Sequence, residues 1–358
     1  MPRRLIVLCD GTWGTKIRKP DASGNLSNVA ILSNLILDKD AADSDQILKY
    51  DTGVGTNSGL RDKLFGGMFG SGLADNVKEA YTFLVNHYVP GDEIYFFGFS
   101  RGAFTVRSTA GLVRKCGIAK KDDPALIDRA YEIYRHRDKG DPTAPDTNEA
   151  KEFRGAHAIW PVVIKFIGVW DTVGRLGIPA PRYLQWLGPF SPAKYEFHDT
   201  DLSRSVEFAY HAIAVDERLR VFEPTLWSQH PEAEHQTMEQ AWFPGVHSDV
   251  GGGYTACGLS NCALHWLADK ARGAGLALDD DALAKFPPDS LGLVHDKRSF
   301  PMSLLPQHAR KIGAADRGNE SLHSTTRDRR RDLPSYRPKN LEEYLERRRA
   351  HLGGDEAA

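Results

Sequence analysis

The chain of 358 residues carries 46 Lys and Arg against 48 Asp and Glu, a formal net charge of −2, and 41% of it is hydrophobic. That length can bury a large core, as one α/β domain with insertions or as two modest domains, and the charge balance removes any global argument for a nucleic-acid partner. Four cysteines, Cys9, Cys116, Cys257 and Cys262, are too few and too scattered for a disulfide framework or a zinc site, so reduced packing thiols are expected.

The apolar stretch behind Met1-Pro-Arg-Arg4 is too short for a signal peptide, and no run approaches the length of a membrane span. The expectation is a cytoplasmic protein, unless a signal-independent machine exports it. Leu5-Ile-Val-Leu-Cys9 reads as a buried parallel strand that stops at Asp10-Gly11-Thr12-Trp13. In doubly wound sheets ligands meet the carboxyl ends of strands, so this end is a site candidate. The N–H of Gly11 or Thr12 is a candidate oxyanion donor, while Asp10 reads equally well as a carboxylate that satisfies turn amides.

A helical pattern over 28–37 and a strand over 46–50 follow, the strand again ending in Asp51-Thr-Gly-Val-Gly55. The glycine-rich stretch 53–72 contains Leu64, Phe65, Met68 and Phe69, an apolar cluster suited to touching an acyl chain or to pinning its own loop. Leu73, Val77, Ala80, Tyr81, Leu84, Val85 and Tyr88 share one helical face, closed by Pro90-Gly91.

The aromatic run Glu93-Ile-Tyr-Phe-Phe97 then enters Gly98-Phe99-Ser100-Arg101-Gly102 and a helical pattern. A serine on a tight strand-to-helix turn needs glycine two residues to either side, where a Cβ would clash. The turn lifts Oγ clear of the sheet and sets the Arg101 N–H, at the positive end of the next helix, beside a developing oxyanion.

Residues 118–158 read as an insertion with one amphipathic helix near 125–136. The strand over 161–170 runs into Asp171, where the chain order serine, acid, histidine would put the orienting acid. The apolar segment 175–194 suits a lid or simple packing. A helix carrying His211 is predicted over 206–214, followed by Asp216. The stretch 240–246 reads as the last core strand, delivering His247-Ser-Asp249 ahead of three glycines that free its loop. His211, the rival histidine, reads as structural. Asp216, Asp249 and Asp10 remain rival acids or supports of substrate and loops. Past a helix from Leu259, periodicity weakens. The cluster Arg327-Asp-Arg-Arg-Arg331 reads as a solvated tail, and Asn340 with Glu343 reads as a capping box for a last short helix.

Together these signs predict an α/β fold of the α/β-hydrolase type: a mostly parallel, doubly wound sheet over 1–275, with insertions at about 118–158 and 175–238 forming a cap. A C-terminal extension over 276–358 follows. The chemistry expected is acyl transfer, with Ser100 as nucleophile, His247 as base, Asp171 as orienting acid, and the amides of Arg101 with Gly11 or Thr12 as oxyanion donors. No metal or other cofactor is needed. Two other classes stay open: a metal-dependent phosphohydrolase using Asp10, Asp51, His247 and Asp249 as ligands, and a non-catalytic hydrolase-fold interaction module.

Asp10-Gly-Thr-Trp13, Gly98-Phe-Ser-Arg-Gly-Ala103, Val169-Trp-Asp-Thr-Val173, His211-Ala-Ile-Ala-Val-Asp-Glu-Arg218 and Trp242-Phe-Pro-Gly-Val-His-Ser-Asp-Val-Gly-Gly-Gly-Tyr254, in this order over residues 3 to about 270, resemble the α/β-hydrolase family that contains bacterial type VI secretion phospholipase effectors. The resemblance implies a Ser-Asp-His lipase or esterase with an ester or phospholipid substrate and transient contact with a membrane surface. For an effector it also implies an immunity or secretion partner.

Overall fold

In the computed structural model of the chain, residues 2–11, 25–53, 71–135, 147–173, 202–295 and 307–352 are described. The strands β1 (Arg4–Cys9), β2 (Gln46–Asp51), β3 (Glu93–Phe99), β6 (Ile164–Trp170), β7 (Val206–Ala214), β8 (Thr237–Phe243) and β9 (Glu320–Leu322) form one seven-stranded sheet in the order β2-β1-β3-β6-β7-β8-β9. Every neighbouring pair in it is parallel. Two short strands, β4 (Ile118–Ala119) and β5 (Ala158–Ile159), form a separate antiparallel ribbon.

Both faces of the sheet are covered, which is why its strands read as continuous apolar runs. Period-two alternation sends Leu5, Val7, Ile94 and Phe96 into a core shared with α2 (Ser71–His87), α3 (Arg101–Cys116), α4 (Pro124–Arg135) and α5 (Asn148–His157). Ile6, Leu8, Tyr95, Phe97 and Trp170 face the opposite core, built with α1 (Asn28–Leu35), α7 (Gly258–Gly273) and α8 (Asp280–Leu283). The chain winds outward in both directions from the β1/β3 pair, so a crevice opens at the carboxyl ends of those strands. The residues just past the strand ends are Asp10, Ser100, Asp171 and, after β8, the short helix α6 (His247–Gly251).

Residues 206–214 form the central strand β7, not the expected helix, and β7 lies inside the span read as the 175–238 insertion. Its sequence is apolar at nearly every position because both faces are buried, and in so short a run that pattern does not separate strand from helix. Three alanines, at 209, 212 and 214, are fully buried there. Likewise β8 is not the last strand: β9 adds beside it.

Residues beyond 306 dock through a third core of Ile213, Val215, Trp242, Ile312, Leu322, Tyr336 and Leu341. Ile312 and Leu341 are fully excluded from solvent, and each contributes about 2 kcal/mol of burial. The basic cluster is not a free tail but part of α9 (Ser324–Asp332). Arg329 is buried and donates to the Ser290 and Gly292 carbonyls, both at 2.8 Å. Arg330 pairs with Glu342, and Arg331 pairs with Asp328 and Asp332. Asn340 lies within α10 (Lys339–Leu352) and does not cap it, since its Nδ2 reaches inward to the Val215 carbonyl at 2.9 Å. Among the described residues, no helix is long and apolar enough to cross a membrane.

Candidate active site

Ser100 sits between β3 and α3 at φ 56° and ψ −118°, a conformation that costs a non-glycine residue about 1–3 kcal/mol and persists only where its surroundings impose it. Here the surroundings are backbone. A Cβ on Gly98 would lie 2.6 Å from the Ala103 N and the Gly102 carbonyl oxygen, and one on Gly102 would lie 1.9 Å from the Cys9 carbonyl oxygen. Both glycines let β1, β3 and the first turn of α3 close on one another. The Ser100 N–H donates to the Trp170 carbonyl at 3.0 Å, tying the elbow to the end of β6.

His247 opens α6. Its Nε2 lies 2.9 Å from Ser100 Oγ, and its Nδ1 lies 2.5 Å from Asp171 Oδ2. Phe222, in a single 3-10 turn (Arg220–Phe222), stacks on the imidazole with centroids 4.6 Å apart and planes 7° apart. Phe99 approaches it tilted, at 4.7 Å. The His247 N–H donates to Glu217 Oε2 at 3.2 Å. The ring is therefore clamped between two aromatics, at the start of a helix and not on a loosened loop. Two of the glycines after it serve close packing: a Cβ on Gly251 would fall 1.9 Å from the Phe99 ring, and one on Gly252 2.7 Å from the Asn28 N.

Asp171 leaves β6 at φ 41° and is fully buried. Its N–H donates to the Ala212 carbonyl at 2.8 Å, and its Oδ1 accepts from the Ala214 N–H at 3.0 Å. The next amide, Thr172 N–H, donates to His211 Nε2 at 3.0 Å. His211 Nδ1 therefore carries its proton toward Gln240 Oε1, 3.2 Å away. Burial, with Arg107 nearby, holds His211 down at about 3. It is a neutral support for the backbone beside Asp171, as expected of a structural histidine, although it stands on β7.

A residue the sequence does not point to completes this cluster. Arg310 is fully buried and forks onto Asp171, Nη1 to Oδ1 at 2.6 Å and Nη2 to Oδ2 at 2.9 Å. Burial pushes the Asp171 carboxyl up, but the Arg310 guanidinium and His247 outweigh it and hold the group well below the usual carboxylate range. Arg310 is 139 residues from Asp171 in sequence, in a polar stretch without periodicity, and nothing local marks it.

The remaining candidates fall into supporting places. Asp10 accepts from the Gly11 N–H at 2.6 Å, from Tyr50 Oη at 2.6 Å and from Ser27 Oγ. Burial raises its carboxyl above the ordinary value. Gly11 lies beside the nucleophile, a Cβ on it falling 3.6 Å from Ser100 Cβ, but its N–H is committed to Asp10 and is not the open oxyanion donor expected. Thr12 lies outside the described residues, as do the segments 175–194 and 64–69. The Arg101 N–H opens the sixteen-residue α3, where amides have no intrahelical acceptor. Asp216 Oδ2 accepts from the Gly245 N–H at 2.7 Å and Tyr336 Oη at 2.8 Å. Asp249 accepts from the Val246 and His295 N–H groups, both at 3.0 Å, and meets His295 Nδ1 at 2.5 Å. Neither acid bonds to the His247 ring. Among the described residues, no three His, Cys, Asp or Glu side chains form a group that could hold a metal, so Asp10, Asp51, His247 and Asp249 do not assemble the ligand set of the phosphohydrolase reading.

A strand-elbow-helix carrying the serine, set on a doubly wound parallel sheet, defines the α/β-hydrolase fold. Within it, the chain belongs to the family described as T6SS, phospholipase effector Tle1-like, catalytic domain, which it matches over residues 3–270. This is a family of lipase-like hydrolases. An uncharacterized protein of Saccharomyces cerevisiae is 30% identical over 245 residues, which are 63% of this chain and 33% of that protein. The chain thus matches about a third of that relative's length. The crystal structure of an uncharacterized protein from Pseudomonas aeruginosa aligns over 80% of this chain and 49% of its own, with 18% identity and a TM-score of 0.44. A thermophilic esterase from Thermogutta terrifontis, solved with butyrate bound, aligns over 77% of this chain and 85% of its own, with 14% identity and a TM-score of 0.37.

Proposed function

We propose that the protein is a serine hydrolase that cleaves carboxylic esters of lipids, phospholipids among them, through an acyl-enzyme on Ser100. The observation that carries this reading is the unbroken bonded path from Ser100 Oγ through both nitrogens of His247 to Asp171. In the reaction, Oγ attacks the ester carbonyl while His247 Nε2 takes its proton. Asp171 keeps the other proton on Nδ1 and stabilises the imidazolium. The Arg101 N–H, backed by the positive end of α3, faces the developing oxyanion. His247 then protonates the leaving alcohol, and a water activated by the same nitrogen releases the fatty acid.

The lipid substrate class comes from the family, and effector partners such as an immunity protein belong to the same proposal. The test is turnover of p-nitrophenyl esters of graded chain length and of phospholipid vesicles, together with labelling by a fluorophosphonate. Ser100→Ala is expected to abolish both turnover and the adduct. Undiminished turnover in Ser100→Ala would remove the serine mechanism, and a wild type that neither labels nor turns over would leave an interaction module.

A further inference from the structure

We propose that Arg310 is a positioning residue of the hydrolytic site: its forked guanidinium fixes both oxygens of Asp171, and with them His247, so that the chain beyond the family domain is part of the catalytic apparatus. The inference rests on the serine-hydrolase reading above and adds to it a residue outside the matched span of 3–270.

Its geometry is that of a fixed template. Asp171 receives four donors, two on each oxygen: Ala214 N–H and Arg310 Nη1 on Oδ1, and His247 Nδ1 and Arg310 Nη2 on Oδ2. Without the fork each oxygen would keep a single donor, Ala214 N–H on Oδ1 and His247 Nδ1 on Oδ2; the bidentate fork adds a second to each and fixes the carboxylate plane. The guanidinium is held in turn. Nη1 also donates to the Ala214 carbonyl at 2.9 Å, and Nη2 also donates to the Phe222 carbonyl. Phe222 is the residue whose ring stacks on His247, so one cation steadies both the acid behind the imidazole and the aromatic over its face. Four donors serve these bonds, and the fifth, Nε, has no partner among the described residues. That arrangement favours aim at Asp171 over complete satisfaction of the arginine.

The charge has a second consequence. Among the described residues, the charged and titratable groups around the Asp171–His247 pair are Arg310 itself, neutral His211 on β7, and Glu217 and Glu223, whose fields reach the guanidinium. Arg310 is the cation directly on the carboxylate, and it weakens the hold of Asp171 on an imidazolium. Without it, the pair as a unit binds its shared proton more tightly. Buried ion pairs also occur as mere packing, so the test needs a readout that packing leaves unmoved.

That readout is the pH profile of kcat/KM for a short p-nitrophenyl ester, measured on full-length wild type, Arg310→Gln, Arg310→Lys and, as reference, Ser100→Ala. Arg310→Gln is expected to lower kcat about a hundredfold at neutral pH with KM within about twofold, since a misplaced acid misaligns the base. Its acid limb is expected to move up by about one pH unit. Arg310→Lys keeps the charge, so its limb should stay in place while kcat falls less. A folded Arg310→Gln with wild-type kcat, or with reduced kcat and an unmoved limb, overturns the positioning role. Activity persisting in Ser100→Ala overturns the underlying serine reading instead. Should neither arginine variant fold, nitrogen NMR of the wild type decides. The Arg310 guanidinium signals are expected to shift when a fluorophosphonate adduct on Ser100 places a proton on His247, and signals unmoved by the adduct overturn the proposal.

Discussion

Replacing Asp171 by Asn changes one atom at the centre of the candidate site, and the four groups around that carboxylate set the outcome. All four are donors: Ala214 N–H, two Arg310 nitrogens and His247 Nδ1. An amide must turn its NH2 toward two of them. Facing it toward the Oδ1 position opposes the Ala214 N–H and Arg310 Nη1, neither of which can become an acceptor. Facing it toward the Oδ2 position opposes Arg310 Nη2 but lets His247 switch tautomer and accept at Nδ1. The second orientation is therefore favoured, and it leaves the proton on Nε2, facing Ser100, where a base is required. By analogy with the same change in a serine protease triad, kcat should fall about ten-thousandfold. Arg310, buried without its counter-charge, should cost about 3–5 kcal/mol of stability. Ester turnover at neutral pH and urea unfolding of the same preparation check both effects. A variant that keeps kcat within tenfold of wild type would refute the assignment of the acid, and one that loses kcat without losing stability would refute the account of Arg310.

Two further outcomes follow from the packing around the site. Gly251→Ala sets a Cβ 1.9 Å from the Phe99 ring, so the ring must leave its place against His247. A loss of about 1–3 kcal/mol is expected from such overpacking, with a fall in kcat. Thermal unfolding and ester kinetics check it, and an unchanged kcat would mean that the ring does not hold the base. Burial pushes Asp216 up to about 6. An acid whose folded pKa is raised weakens the folded state where it is ionised, above about 6, and the penalty disappears as pH falls through about 6 toward the unfolded value of 3.8. Asp216→Asn, which can still accept from Gly245 and Tyr336, should therefore stabilise the protein by up to about 3 kcal/mol near pH 8 and by nothing near pH 4. Urea unfolding at the two pH values measures the difference, and a stability gain independent of pH would count against the raised pKa.

The features that can be read from the residues alone are local in origin. A strand buried on both faces writes a continuous apolar run, and a turn that presses backbone on backbone demands glycine. The strands ending at Asp10, Asp51, Ser100 and Asp171, and the elbow glycines 98 and 102, were therefore legible from a few neighbouring residues. The nine apolar-rich residues of β7 were not, because burial on both faces erases the period that tells strand from helix. Chain order and its place at a strand end point to Asp171 as the acid that meets His247, but nothing nearby in sequence excludes Asp10, Asp216 or Asp249. The choice comes from Asp171 turning at φ 41° off a central strand, while the other three spend their oxygens on amides, hydroxyls and His295. Arg310 was decided by tertiary structure alone. Its segment is carried to the site by β9 and the third apolar core, and a charge that acts through space on a residue 139 positions away leaves no trace in the pattern of its own neighbours.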